Sequence, residues 1–239
     1  MNFRDRGIII CKRELKERSG IVTIFSENNG IYSGVSKQFS KKDNCNLLEG
    51  NLVDFCWSAR LHEHIGSFKI EPVKSYNAYI IMDKTKLYAF NSIVAILKMA
   101  FCEREPHNNL FPTLLSFLQE LKSELSIKKY MELEIDILAE AGYKMQLQEC
   151  VASGKKEELC YVSPKSACAV SKQAGEQYKD KLLKLPKFLT RDYQKTMGDI
   201  QIDDLRSAFD LTSYFLDRYI FINKPSPDAR LTFREHVLS

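Results

Sequence analysis

Lys37-Gln38-Phe39-Ser40-Lys41-Lys42 places three ammonium groups around one aromatic ring. That pairing does non-covalent chemistry on nucleic acid: the cations meet phosphates and the ring stacks on a base. Such stacking is worth about 1–3 kcal/mol per base. The plainer reading is a solvated loop whose Phe39 tucks into a core. Lys12, Arg13, Arg60 and Lys69 are further basic candidates on strands or adjacent turns. A second basic group follows at Lys165, Lys172, Lys179, Lys181, Lys184 and Lys187. Its spacing predicts a patch rather than one helix face, open to DNA or to an acidic peptide.

Other chemistry finds little support. Seven cysteines stand at 11, 45, 56, 102, 150, 160 and 168, and no two are spaced C-x-x-C. An odd number without that spacing predicts reduced thiols in a cytosolic protein rather than a disulfide framework. Cys150, Cys160 and Cys168 are too loosely spaced to read as a metal site. His62 and His64 share a strand face if the strand continues, but no third ligand accompanies them. No G-x-x-x-x-G-K-[ST], G-x-S-x-G or H-E-x-x-H occurs, and the carboxylates form no two-metal set. The chain reads as a binding protein, not an enzyme.

The elements that must position these residues fall into two kinds. The 239 residues are 44% hydrophobic and 28% charged, an ordinary globular balance at a net charge of +4. The charge is partitioned. Residues 1–80 hold 12 Lys/Arg against 9 Asp/Glu, and residues 150–190 hold 8 against 4. The stretch 81–149 between them is acidic, 8 against 10, and the remainder is nearly balanced at 7 against 8. Local field matters more to a polyanion than the total does. The apolar run Ile8 to Cys11 is too short for a signal peptide, and the helix pattern near Phe90 to Phe101 is too interrupted for a membrane span.

Up to residue 76, short apolar runs alternate with turn chemistry. Strands are predicted over Gly7–Lys12, Ile21–Ser26, Ile31–Lys37, Asn51–Leu61 and Gly66–Tyr76, with a hairpin turn at Glu27-Asn28-Asn29-Gly30. Five short strands predict a small closed barrel, of the OB or the SH3-like type. From Asp83 the period becomes helical. Leu87, Phe90, Val94, Leu97 and Phe101 form one stripe; Leu114, Leu115, Leu118, Leu121 and Leu125 form the next behind Pro112. A third helix is predicted over about 128–141, capped by Gly142. A fourth should start after Asp203-Asp204, and a last one at Ser226-Pro227-Asp228. The expected organisation is α+β in two domains: a five-stranded barrel over 1–80, then a mainly α-helical domain over 81–239.

Three segments carry a resemblance. They are Leu147-Gln148-Glu149-Cys150-Val151-Ala152-Ser153-Gly154, then Tyr161 to Ser171 with Ala174-Gly175, then Lys181-Leu182-Leu183-Lys184-Leu185-Pro186-Lys187-Phe188-Leu189. Their order resembles the bacterial DNA repair and recombination protein RecO family. Asp5-Arg6-Gly7-Ile8 and Phe68-Lys69-Ile70-Glu71-Pro72 fit it as well. The resemblance favours an OB-fold for the barrel and implies a DNA-binding basic loop where Lys37 to Lys42 lie. In metal-binding relatives two C-x-x-C pairs flank a Ser-Pro turn, and here the pairs would fall at 150/153 and 171/174. Only Cys150 remains, beside Ser153, Ser171 and Ala174. One thiolate cannot hold a structural zinc, which takes about four N or S ligands. The stretch 145–175 is therefore expected to be a degenerate knuckle, a loop held by side-chain contacts and turned by Ser163-Pro164, without metal or other cofactor.

The resemblance implies a non-enzymatic mediator in the cytoplasm, at the nucleoid. It would bind single- and double-stranded DNA, anneal complementary strands and act with RecR to load RecA onto coated DNA. The acidic C-terminal tail of single-stranded DNA-binding protein is the implied peptide partner. The alternative is an OB-type adaptor binding proteins only, and a weaker one is a nuclease. Salt separates them: a single-strand binder shows a log–log slope near −0.7 per phosphate contact, roughly −3 to −4 for five.

Overall fold

The computed structural model describes residues 1–16, 19–39, 47–61, 64–190 and 200–239. They divide into two compact units, Met1–Leu125 and Ser126–Ser239.

In the first unit β1 (Asn2–Lys16), β2 (Ser19–Ser26), β3 (Gly30–Ser36), β4 (Leu52–Ser58) and β5 (Gly66–Lys74) close a barrel in the order β1-β2-β3-β5-β4. Alternation drives it, because successive side chains point to opposite faces. Ile9, Val22, Ile24, Tyr32, Phe55, Trp57, Phe68 and Ile70 turn inward and form the core. β3 closes parallel on β5, pairing Gly34 with Gly66 and Ser36 with Phe68, while all other barrel pairs are antiparallel. This is the OB-type arrangement, and it decides between the two barrel types left open by periodicity.

β1 is 15 residues long, well beyond the apolar run that marks it in the sequence. Its first half pairs with β4 and its second half with β2, shifting register at a bulge between Ile9 and Cys11. A strand that serves two neighbours can carry polar residues at its ends, which hides them from a pattern search. The hairpin at residues 27–29 forms as predicted, with Gly30 at φ +79°. Asp5 locks it from β1. Its carboxylate accepts from the Ser26 hydroxyl, from Asn28 N at 3.0 Å and from the Asn28 and Asn29 amides at 2.8 and 2.7 Å. Burial alone would raise the Asp5 carboxyl, yet these donors hold it below its ordinary value.

The first unit continues with α1 (Asn77–Ile81), α2 (Lys84–Ala100) and α3 (Leu110–Glu120). Asp83 caps α2 by accepting from Thr85 N and Lys86 N at 2.8 and 3.2 Å. The buried face of α2 is Ala89, Phe90, Ser92, Ile93, Ile96 and Leu97, so Phe90 and Leu97 of the predicted stripe are buried, as is Phe101 just past the helix. Small Ala89 and Ser92 fit against the core, leaving Leu87 and Val94 half-buried at the edge of that face.

The second unit opens with α4 (Ile127–Glu140). Gly142 at φ +95° ends it, with Tyr143 N donating to Leu138 O and Gly142 N to Ala139 O, the paired bonds of a Schellman cap. α6 (Ile202–Tyr219) begins before Asp203-Asp204 and holds both acids inside its first turn. α7 (Asp228–Leu238) starts after Pro227, and Ser226 gives no capping bond. Between α4 and α6 lie β6 (Leu159–Val162), β7 (Ala169–Ser171), the short α5 (Lys172–Gly175) and β8 (Leu183–Lys184). These strands form one antiparallel sheet, order β7-β6-β8. The stretch expected to be a loop held by side chains is thus held by backbone pairing. No helix among the described residues is long and apolar enough to cross a membrane.

Candidate nucleic-acid interface

Register gathers the barrel's cations. Lys37 is one residue beyond Ser36 and Lys69 one beyond Phe68, the last pair of the parallel β3–β5 ladder. The side chain of Gln38 continues that ladder where β3 stops. Its Nε2 donates to Ile70 O at 2.9 Å and its Oε1 accepts from Ile70 N at 2.8 Å. Lys37 and Lys69, both exposed, are thereby held on adjacent strands and line one depression with Val35, Gln38 and Ser67.

The row extends across the barrel wall. Lys69 pairs with Cys56 on β4, and Cys56 with Arg4 on β1. At about 4.8 Å per strand, Lys37, Lys69 and Arg4 span roughly 15 Å. Arg4 carries no motif, although its alternation with half-buried Phe3 and Asp5 marks it as outward-facing. Lys69 carries one exposed ion pair, to Glu71 at 3.6 Å. Such a pair is worth about 0–1 kcal/mol, so a phosphate can displace the carboxylate.

The remaining barrel candidates scatter. Exposed Arg13 lies in the next row, where β1, β2, β3 and β5 align Arg13, Ile21, Val35 and Ser67. Lys12 is half-buried, with its backbone N–H on Glu49 Oε1 at 3.1 Å. Arg60 is exposed beyond the end of β4. Lys41, Lys42 and His62 lie outside the described residues.

Phe39 corrects the sequence reading. It is 5% exposed and belongs to the barrel core, where its ring lies against Gly20 in the space a β-carbon there would occupy. It is not a platform open to a base. The apolar drive to bury a ring overrode the polar company it keeps in sequence.

The second group of lysines does not converge on one point. Lys165 sits in the turn of the β6–β7 hairpin, and Lys172 follows β7 at its open end. Lys179 pairs with Glu176 at 3.4 Å. Lys181 and Lys184 are exposed, on the 3₁₀ turn Glu176–Lys181 and on β8. Lys172 and Lys187 both act on Cys160, whose thiol burial pushes up while the two ammoniums pull it down.

The expected knuckle positions stay close together. Ser171 N donates to Cys150 Sγ at 3.2 Å, and Cys150 is buried. Burial would raise this thiol, but donors from Ser153, Ser171 and Ala152 bring it down to about 6. One sulfur with hydroxyl and alanine neighbours does not fit a structural zinc. Among the described residues no group of three or more His, Cys, Asp or Glu could hold a metal.

Comparison with known proteins covers both units. Residues 1–76 match the family model described as Recombination protein O N terminal, and residues 82–228 match Recombination protein O C terminal. DNA repair protein RecO of Rickettsia rickettsii (strain Iowa) is 48% identical over 239 residues, 100% of this chain and 99% of that protein. The protein of the same name from Rickettsia conorii (strain ATCC VR-613 / Malish 7) is 47% identical with the same coverage. That from Rickettsia canadensis (strain McKiel) is 48% identical over 238 residues, 97% of its length.

Proposed function

The chain belongs to the RecO family of DNA repair proteins, and from that membership we propose that it acts in repair and recombination as a non-enzymatic mediator. It binds single- and double-stranded DNA, anneals complementary strands and, with RecR, helps load RecA onto DNA coated by single-stranded DNA-binding protein. The observation that carries the reading is similarity over the whole chain to proteins named for DNA repair. The row of Lys37, Lys69 and Arg4 supports it with a mechanism. Cations fixed on a rigid wall release condensed counterions from phosphates and reduce the repulsion between two strands, with no bond broken and no nucleotide consumed. Lys165, Lys172, Lys179, Lys181, Lys184 and Lys187 form a looser basic surface for DNA or for the acidic tail of the coat protein. Its place of action would be the cytoplasm, where DNA and these partners reside.

Strand annealing without nucleotide or metal tests the proposal, on bare DNA and on DNA coated with the cognate single-stranded DNA-binding protein. Acceleration on both is expected, weakened by salt, with the coated reaction also weakened by deleting the coat protein's acidic tail. Folded protein that anneals neither would leave a protein-only adaptor as the better account.

A further inference from the structure

Lys74 ends β5 and Lys122 follows α3, 48 positions apart in the sequence, yet both reach the ring of Tyr76. Their Nζ atoms stand 5.7 and 5.3 Å from its centroid, so one ring gathers both ammoniums. Tyr76 itself is 1% exposed beneath them. Neither lysine has an acidic partner among the described residues. Lys86, by contrast, has a partner, its Nζ donating to Ser123 O at 2.7 Å. That bond accounts for Lys86, which ties α2 to the turn that follows α3. It leaves the Lys74–Lys122 contact unexplained: two like charges are held together at the surface with nothing of opposite sign between them. The Lys122 ammonium is accordingly depressed by its neighbour.

We infer that Lys74 and Lys122 form a phosphate-binding subsite for single-stranded nucleic acid, with the ring of Tyr79 as the adjacent base platform. The inference rests on the nucleic-acid reading above and adds a place to it. A phosphate offers several acceptor oxygens and can take a hydrogen bond from each ammonium, which turns the repulsion into a shared contact. Tyr79 is 43% exposed on α1, one turn from Tyr76, whose carbonyl accepts from Tyr79 N at 3.0 Å. Cation beside open aromatic is the combination that tracks a single strand. Buried Phe39 does not supply it on the barrel, whereas Tyr79 does on α1.

The test is a salt titration of binding to fluorescein-labelled oligothymidylate by the full chain, followed by anisotropy. Lys74→Gln/Lys122→Gln should lower the log–log slope by roughly 0.7 for each phosphate no longer neutralised, and Lys74→Arg/Lys122→Arg should restore it. Tyr79→Ala should weaken binding roughly 5- to 100-fold at any one salt concentration with the slope unchanged. All these side chains are exposed, and unchanged melting curves would show the variants folded. An unchanged slope in the glutamine pair, while Lys37→Gln/Lys69→Gln lowers it, overturns the subsite alone. An unsubstituted chain that binds no DNA overturns the nucleic-acid reading and the subsite with it. Lys74-dependent binding of an Asp/Glu-rich peptide with the DNA slope unchanged would reassign the pair to a protein partner.

Discussion

The Gln38 carboxamide brackets the backbone of Ile70, donating to its carbonyl at 2.9 Å and accepting from its amide at 2.8 Å. A side chain thus supplies the ladder rung that β3 no longer provides, and Lys37 stays beside Lys69. Replacing Gln38 with Ala removes both bonds and should cost about 1–3 kcal/mol. Asn is one methylene too short to span both groups. Denaturant unfolding reads the stability change, and the salt slope of DNA binding should fall although no charge has been removed. A slope that survives Gln38→Ala would show that Lys37 needs no such anchor.

A second prediction concerns the core of the Ser126–Ser239 unit. Arg230 Nε and Nη2 grip the two carboxylate oxygens of Glu134 at 2.8 and 3.0 Å, with both residues at most 1% exposed. Tyr130 donates to the same carboxylate, while Thr212 and Ser213 accept from the guanidinium. Removing one partner strands the other charge, so Arg230→Met should cost about 3–5 kcal/mol. Glu134→Leu/Arg230→Met should recover most of that loss. Burial works to raise the Glu134 carboxyl, but Arg230 and the hydroxyl donors hold it below the ordinary range. The pair's contribution is therefore full above the unfolded carboxylate value and fades as pH falls through the lower folded one. Acid unfolding of wild type against the double variant measures it.

Cys150 carries the third. Its thiol is brought down to about 6 in the folded chain, against an ordinary value near 9. A lowered acid contributes stability that is complete above the unfolded value and is lost as pH falls through the folded one. The advantage of wild type over Cys150→Ala should thus grow between about pH 6 and pH 9, as followed by urea unfolding under reducing conditions. Ser153→Ala removes one donor and should shrink that growth. A pH-independent difference would mean that Cys150 acts through packing alone.

Much of the architecture was legible because it rests on local rules. The Asn-Asn-Gly turn, the five strands and the Gly142 cap are each set by a few neighbouring residues. What stayed hidden depends on register. Arg4 and Lys69 meet through Cys56 on the strand between them, and Lys74 meets Lys122 across 48 residues. No window of sequence contains either pair. The sheet β7-β6-β8 was missed for a related reason: strands of 2 to 4 residues are too short to show a period. The α2 stripe was legible in part: Phe90, Leu97 and Phe101 are buried as expected, but small Ala89 and Ser92 also face inward while Leu87 and Val94 stay half-buried.

Phe39 separates the two meanings of an aromatic in a basic loop. If its ring stacked on a base, Phe39→Leu would weaken DNA binding and leave stability untouched, because an exposed ring contributes little to the core. In the structure the ring is buried over Gly20 of β2, in the same core cluster as Val22, Trp57 and Leu47. Phe39→Ala should then cost about 3–5 kcal/mol through the cavity it leaves, whereas Phe39→Leu keeps most of the volume and costs less. DNA affinity of the folded Leu variant should match wild type at every salt concentration. Thermal melting and anisotropy on the same two variants decide it, because the core and stacking roles predict opposite pairs of results.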